Sequence, residues 1–450
     1  MEDAEARLYK RIAVRILPLL FVGYVVAFLD RVNVGFAKLQ MAEDLGLSDA
    51  AYGLGAGIFF LGYCLFEVPS NLILTRVGAK RWMARIMFTW GILSSLFMFI
   101  GDWRWGSFSE ALGLSDAEFS FYFLRFLLGI AEAGFFPGVI LYLTYWFPRN
   151  RQAGAIALFM TAVGVSSVIG SPLSGAILQF CDGYLGWRGW QWLFLIEGLP
   201  SIIIGIFFFL LLPDRPAKAT WLTTEEKDRI SQLIGSTGEE IAQMPAGKAW
   251  RVFGKGRLWA FSGAYICSTI ALYAVSFWMP TLVAQLGIPK GAYLQVGLLS
   301  IIPWGTMALI QVAWAKSSDR MNERRWHSFA GYLLAAGGFI LLALTPGNTV
   351  VGLTALTMIT TGLGCAVVTF WPLVQPYITG ISAAAAIAMI NSAGAFGGYI
   401  GPVLLGFAGA GSQNGGAIML LLACVPLCGG LILLLASSNG RQEQTPHART

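Results

Sequence analysis

The sequence predicts an all-α membrane protein of twelve transmembrane helices arranged as two pseudo-symmetric six-helix bundles. Three observations predict it. The 450 residues are 56% hydrophobic and only 12% charged, with a mean hydropathy of +0.66. A soluble domain carries about 25% charged residues, so this chain cannot cover itself with polar surface. The apolar residues also gather into twelve runs, each close to the roughly 20 residues that a span requires. Finally, short pieces of the first half recur in the second.

In order, the runs are 16–37, 52–74, 83–101, 119–146, 153–179, 191–212, 259–284, 293–315, 327–345, 350–373, 382–409 and 415–436. The first has no small-residue cleavage site behind it and is long enough to span, so it reads as helix 1 rather than as a signal peptide. Two breaks are weak: 346–349, a turn of Pro346, Gly347 and Asn348, and 374–381, which holds no charge. Between runs 3 and 4 the stretch 102–118 is polar, with Trp103 and Trp105 suited to a membrane interface. The long loop 214–258 opens a surface helix with Thr223 and Glu226, a capping-box pair. The expected organisation is a six-helix bundle over 1–213, a linker over 214–258 and a second bundle over 259–450. Glycine, at 54 residues, suits the close approach of membrane helices.

The repeat aligns "TRVGAKRW" (75–82) with "DRMNERRW" (319–326), and the glycines of Gly170-Ser-Pro-Leu-Ser-Gly175 with those of Gly401-Pro-Val-Leu-Leu-Gly406. Repeated halves are a transporter design. Orientation follows the basic residues. With both termini in the cytoplasm, 24 of the 30 Lys and Arg fall in cytoplasmic segments and four (Lys38, Arg104, Arg188, Lys290) outside. Five of the six cysteines lie in apolar runs and no CxxC occurs, so they read as small packing residues. His327 and His447 have no partners that suggest a ligand. Neither a metal nor a cofactor is expected, no nucleic-acid partner, and no enzyme: a nucleophile–base set and a phosphate loop are both missing from the sequence.

The remaining two basic residues, Arg31 and Arg125, lie inside spans, together with Asp30, Glu67, Glu132 and Glu197. All six are in the first half. The second half offers neutral groups instead, among them Tyr273, Ser276, Gln311, Thr369 and Asn391. An ionisable group in a membrane helix is a functional candidate by default. Arg125 and Glu132, seven apart, share a helix face, as do Tyr63 and Glu67, four apart. Asp30 and Arg31 point about 100° apart, so at least one must meet another helix. Glu67 and Glu197 are more simply structural anchors. Arg stays charged, whereas a buried carboxylate without a full partner can take up and release a proton. If Arg31 receives an anion, a neighbouring carboxylate must protonate to avoid repulsion, and that is proton–anion symport.

At "LDRVNVGFA", "GYCLFEVPSNLILTRVGAKRW", "FLRFLLGIAEAGFFPG" and "INSAGAFGGYIGP" the chain resembles the major facilitator superfamily. Within it, the chain is similar to the anion:cation symporter family, in its tartrate, phthalate and hydroxyphenylacetate permease-like branch. The resemblance implies a major facilitator fold working by alternating access, driven in bacteria by protons. It assigns Asp30 and Glu132 to proton coupling, Arg31 to the substrate carboxylate, and Tyr63 and Asn391 to the binding cavity. Arg125 matches the family's arginine ahead of the helix 4 acid. Phe28, Tyr273 and Trp371 are aromatic candidates for the same cavity. Val163 stands where hexonate permeases carry a glutamine that holds sugar hydroxyls, and Thr75 stands where many superfamily members have Asp. "TFWPL" (369–373) is closer to the tartrate and aromatic-acid branch. The expected function is import of an aromatic acid, a tartrate-like acid or a sugar acid with protons, by a monomer in a bacterial inner membrane. A proton-antiport exporter and a non-transporting membrane sensor are the alternatives; the buried arginines disfavour a cationic cargo, and the linker and tail offer no output domain.

Overall fold

The computed structural model describes residues 2–234, 254–345, 347–378, 383–409 and 415–438. Pro346, His447 and the linker from residue 235 to 253 lie outside the described residues. In chain order the helices are α1 (Glu2–Leu45), α2 (Asp49–Val77), α3 (Ala79–Leu96), α4 (Ser107–Ala111), α5 (Asp116–Glu132), α6 (Phe135–Thr144), α7 (Arg149–Met160) and α8 (Ala162–Phe180). They continue as α9 (Gly189–Leu211), α10 (Thr224–Ile234), α11 (Gly256–Ala284), α12 (Tyr293–Met321), α13 (Arg325–Leu344), α14 (Thr349–Val374), α15 (Ala383–Phe407) and α16 (Gly415–Ser438). Twelve segments are long and apolar enough to cross a membrane, α5 with α6 and α7 with α8 each forming one. Among the described residues there is no strand.

Local chemistry sets the helix ends. Ser115 Oγ accepts from Glu118 N at 3.2 Å while Ser115 N donates to Glu118 Oε2 at 2.9 Å, the reciprocal pair that starts α5. Thr223 and Glu226 do the same for α10, as the sequence predicts. Asn348 Oδ1 accepts from Val351 N at 3.1 Å and starts α14.

The structure departs from the sequence reading at three places, one of them the fifth span, which breaks at Thr161 between α7 and α8. Helix α1 begins at Glu2, well ahead of the apolar run. The fourth span is not one helix: Ala133 leaves helical geometry (ψ 128°) and Gly134 has φ +88°. Pro137 explains the break, because it has no N–H to bond the carbonyl four residues earlier. That carbonyl, on Ala133, instead accepts from Ser70 Oγ at 2.6 Å. Only glycine fits beside it, since a Cβ on residue 134 would lie 2.3 Å from Ser70 Oγ in a conformation that L-residues rarely adopt.

The chain divides into two compact units. Unit 1 comprises Met1–Met41, Ile58–Gly170 and Phe180–Met244; unit 2 comprises Ala42–Gly57, Ser171–Gln179 and Pro245–Thr450. In unit 1, α3 and α9 touch at the backbone, a Cβ on Gly91 falling 2.8 Å from Gly198 O. Helix α10 lies on this unit. Glu226 pairs with Arg11 and Arg229 with Glu5 at 3.6 Å; Trp221 stacks on Trp146 with centroids 5.8 Å apart. In unit 2, α13 and α14 meet at Gly331 and Gly362. A core of Phe261, Ala264, Tyr332, Phe370, Ile390 and Leu433 fills its centre.

Candidate functional site

Of the intramembrane charges of the first half, Arg31, Arg125 and Glu132 come together in unit 1 around Phe59. Helix α2 meets α5 at backbone contact distance, because a Cβ on Gly129 would fall 2.0 Å from Phe59 O and one on Gly62 2.4 Å from Phe126 O. Those two glycines bring Phe59 and Tyr63 beside the α5 face that carries Arg125 and Glu132. Both charged residues are buried, each 1% exposed. Glu132 is the last residue of α5, at the break described above.

Arg31 reaches Glu132 from α1: its Nη2 forms an ion pair with Glu132 Oε1. Three rings surround the guanidinium, with Phe28, Phe59 and Tyr63 centroids at 5.9, 5.6 and 5.8 Å from Arg31 Cζ. Arg125 sits over Phe59 at 4.9 Å. Cation–π attraction strengthens where water is excluded, so the rings hold a charge that a purely aliphatic wall would not. The pair is not saturated. Arg31 Nε and Glu132 Oε2 find no hydrogen-bond partner among the described residues. A donor edge of the arginine and an acceptor edge of the acid are therefore available to a third group.

Asp30 turns the other way. It is 1% exposed, and its two oxygens accept from two different helices: Ser94 Oγ of α3 to Oδ1 at 2.8 Å, and Ser201 Oγ of α9 to Oδ2 at 2.6 Å. The adjacent pair thus splits as the 100° offset requires, each member meeting a different helix. A serine hydroxyl can donate or accept, so this cradle can serve the carboxylate and, after one hydroxyl rotates, the carboxylic acid.

The second-half candidates lie in unit 2. Trp371 on α14 packs edge-on against Tyr265 at 5.4 Å and Phe370 at 5.5 Å, and Tyr265 stacks on Phe370 at 5.1 Å. Tyr273 on α11 lies 6.2 Å from the Phe277 ring. Asn391 is half-buried on α15, next to the core residue Ile390. No group of three or more metal-ligating side chains occurs among the described residues. Of the two acids read as structural, Glu67 accepts from Asn71 Nδ2 through its backbone carbonyl at 2.9 Å, and Glu197 is buried at 3%.

Sequence reasoning missed Phe59, Ser94, Ser201 and Asn33. Phe59 was legible, four residues before Tyr63 on one helix face. The two serines carried no signal, since serines in membrane helices commonly bond their own backbone, as Ser95 does to Gly91 O at 2.9 Å.

Residues 20–402 match the description of the Major Facilitator Superfamily. A "Putative tartrate transporter" of Agrobacterium vitis is 42% identical to this chain, over 98% of the chain and 94% of its own length. A "Quinolone resistance transporter" of Acinetobacter baumannii is 36% identical over 98% of both. Among solved structures, an inward-facing bacterial homologue of the human lysosomal transporter Spinster superposes with a TM-score of 0.74 at 18% identity, over 98% of this chain and 99% of that one. That likeness concerns the fold alone.

Proposed function

The chain belongs to the Major Facilitator Superfamily and is a multi-pass membrane transporter rather than an enzyme; from that premise we propose that it imports a small organic carboxylate together with protons. The observation that carries this reading is the unsaturated Arg31–Glu132 pair inside a ring of Phe28, Phe59 and Tyr63. A substrate carboxylate and Glu132 compete for one guanidinium. Protonating Glu132 removes its charge and releases Arg31 to the substrate, so proton and anion load together. Deprotonation restores the internal pair and expels the anion. Tartrate is the first candidate, on the name of the Agrobacterium relative; aromatic acids and sugar acids follow. Tyr63, Arg125 and Phe28 shape this charged site in unit 1; in unit 2, Tyr273, Trp371 and Asn391 are proposed as neutral substrate contacts. We propose a monomer in a bacterial inner membrane, on the bacterial relatives, with both termini cytoplasmic, on the 24-to-4 division of basic residues.

The test is a thermal-shift panel of carboxylates on purified protein, followed by proteoliposome uptake under an inward proton gradient. Accumulation of a carboxylate that collapses with the gradient supports the proposal; carboxylate uptake indifferent to the gradient overturns proton coupling. The Acinetobacter relative's name favours a second reading, proton-driven export of a drug. Drug resistance conferred on a sensitive host, without carboxylate uptake, would select it.

A further inference from the structure

Asp30 lies on the face of α1 turned away from Arg31, and the same side of the helix carries more polar groups. Asn33, one turn on, is 1% exposed. Neither its Nδ2 nor its Oδ1 finds a hydrogen-bond partner among the described residues. An unsatisfied amide in an apolar interior costs about 1–3 kcal/mol, and in hydrocarbon surroundings bulk water cannot relieve it. Two turns beyond Asn33, and on its face, is Gln40. It is 3% exposed, and its Oε1 accepts from Trp190 N at 3.1 Å at the start of α9. Asp30, Asn33 and Gln40 thus form a buried polar stripe. It runs from the middle of the span to the membrane face opposite the N terminus. Small residues floor it, since α3 and α9 meet through Gly91, Ser95 and Gly198.

We propose that Asn33 is a positioning residue on the proton path to Asp30, its amide holding the water through which a proton enters and leaves that carboxylate. The transport consequence rests on the proposed coupling role of Asp30; the path itself does not. A bound water needs two to four polar partners. The Asn33 amide supplies two, and Asp30, with side chains about 5–6 Å apart at this spacing, supplies another.

Few other charged groups occupy the helices packed on this face. On α1 they are Arg31, committed to Glu132, and Lys38, which points to another side of the helix. On α3 the nearest is Arg85, about 14 Å along the axis from Ser94, with Lys80 and Arg81 beyond it. On α9 it is Glu197, one turn before Ser201. Helix α8, which places Gly170 against Leu29, carries no titratable side chain.

The test follows the Asp30 proton directly. In purified protein at acidic pH, the infrared carboxylic C=O band that disappears in Asp30→Asn is timed as it shifts after transfer to D2O. In Asn33→Leu, or in Asn33→Val should the Leu variant not insert, the exchange slows by roughly tenfold or more. Asn33→Ser keeps a donor and an acceptor and stays within about twofold of wild type. A residue that merely packs would leave the exchange rate unchanged in the Leu variant, and that result overturns the path. In proteoliposomes the same Leu variant should lose gradient-driven accumulation while keeping exchange at equal pH. If Asp30→Asn accumulates substrate like wild type, the coupling role of Asp30 fails, while the isotope exchange still decides the path.

Discussion

A short stretch recurs in the two units, 75–82 in one and 319–326 in the other, but their interiors differ. Unit 1 buries Asp30, Arg125, Glu132 and Glu197 and pairs the half-buried Arg31 with Glu132. In unit 2 the buried polar side chains, apart from tyrosine and tryptophan, are Ser and Thr among the described residues. Those hydroxyls mostly serve local backbone: Ser300 bonds Val296 O at 2.8 Å and Thr369 bonds Cys365 O at 2.9 Å. Where they reach farther they meet neutral partners, as Ser268 meets Tyr332 at 2.5 Å and Thr360 meets Pro303 O at 3.0 Å. In unit 1 two hydroxyls hold Asp30 and a guanidinium pairs with Glu132. That difference fits the proposed assignment of the ionic work to unit 1.

The largest test of that division is Arg31. A guanidinium can grip a carboxylate with two parallel bonds, which an ammonium cannot reproduce. Arg31→Ala and Arg31→Lys should weaken carboxylate binding by roughly a hundredfold or more while the protein still inserts. Titration calorimetry on the purified variants reads it, and wild-type affinity in Arg31→Ala would sink the assignment.

Next come the two acids. Asp30→Asn and Glu132→Gln keep the shape and remove the cycle between charged and neutral forms. Gradient-driven accumulation should be lost in both, whereas at least one should retain exchange at equal pH, because a loaded carrier can return without a proton. Both variants accumulating substrate normally would move the coupling site to Glu67 or Glu197.

A smaller effect is expected in unit 2. Trp371→Ala removes one ring from the Tyr265–Phe370–Trp371 cluster, and ring contacts of this kind contribute about 0.5–1.5 kcal/mol. The Michaelis constant should rise by about two- to tenfold, with gradient dependence unchanged. Loss of coupling with affinity intact would break the division of labour between the units.

The smallest contrast lies in the repeated loops. In unit 1 the start of α3 is capped from far away in sequence, Lys80 N donating to Asp214 Oδ1 at 3.0 Å. In unit 2 the start of α13 is capped locally, Trp326 N and His327 N donating to Glu323 at 2.7 and 3.1 Å. Partial burial pushes the Glu323 carboxyl up, but the His327 side chain and these two N–H donors outweigh it and hold it below its usual value. A depressed acid stabilises the fold above its unfolded pKa and loses that contribution as pH falls through the folded one. Glu323→Gln should therefore lower the melting temperature at neutral pH, by an effect of about 0.5–1 kcal/mol. The gap to wild type should close once the pH drops below about 4. A gap that widens in acid would contradict the capping role.

Much of this fold was legible because hydropathy reports spans directly, and all twelve expected runs correspond to helices that can cross a membrane. The break after Glu132 was not foreseen. Proline occurs inside many of these helices, Pro18 in α1 and Pro200 in α9 among them, and a sequence does not say which carbonyl will find a hydroxyl such as that of Ser70. The charged site residues were visible because an ion in an apolar run is conspicuous. Their partners were not, because pairing Arg31 with Glu132 depends on how α1 and α5 are rotated. Ser94 and Ser201 were hidden among hydroxyls that satisfy themselves.

The interruption at Gly134 also has an electrostatic consequence. A helix that stops there ends its aligned peptide dipoles, so the last-turn carbonyls of α5 carry a partial negative charge, offset in part by the positive N-terminal end of α6 at Phe135. The last residue of α5 is Glu132, the partner of Arg31. When Glu132 takes a proton and its own charge vanishes, that fractional charge remains, since no change of pH titrates a peptide dipole. In the proposed cycle the guanidinium is thus loosened without being cast adrift: what remains of that partial charge tethers it weakly to the end of α5, beside the carboxylate with which it pairs.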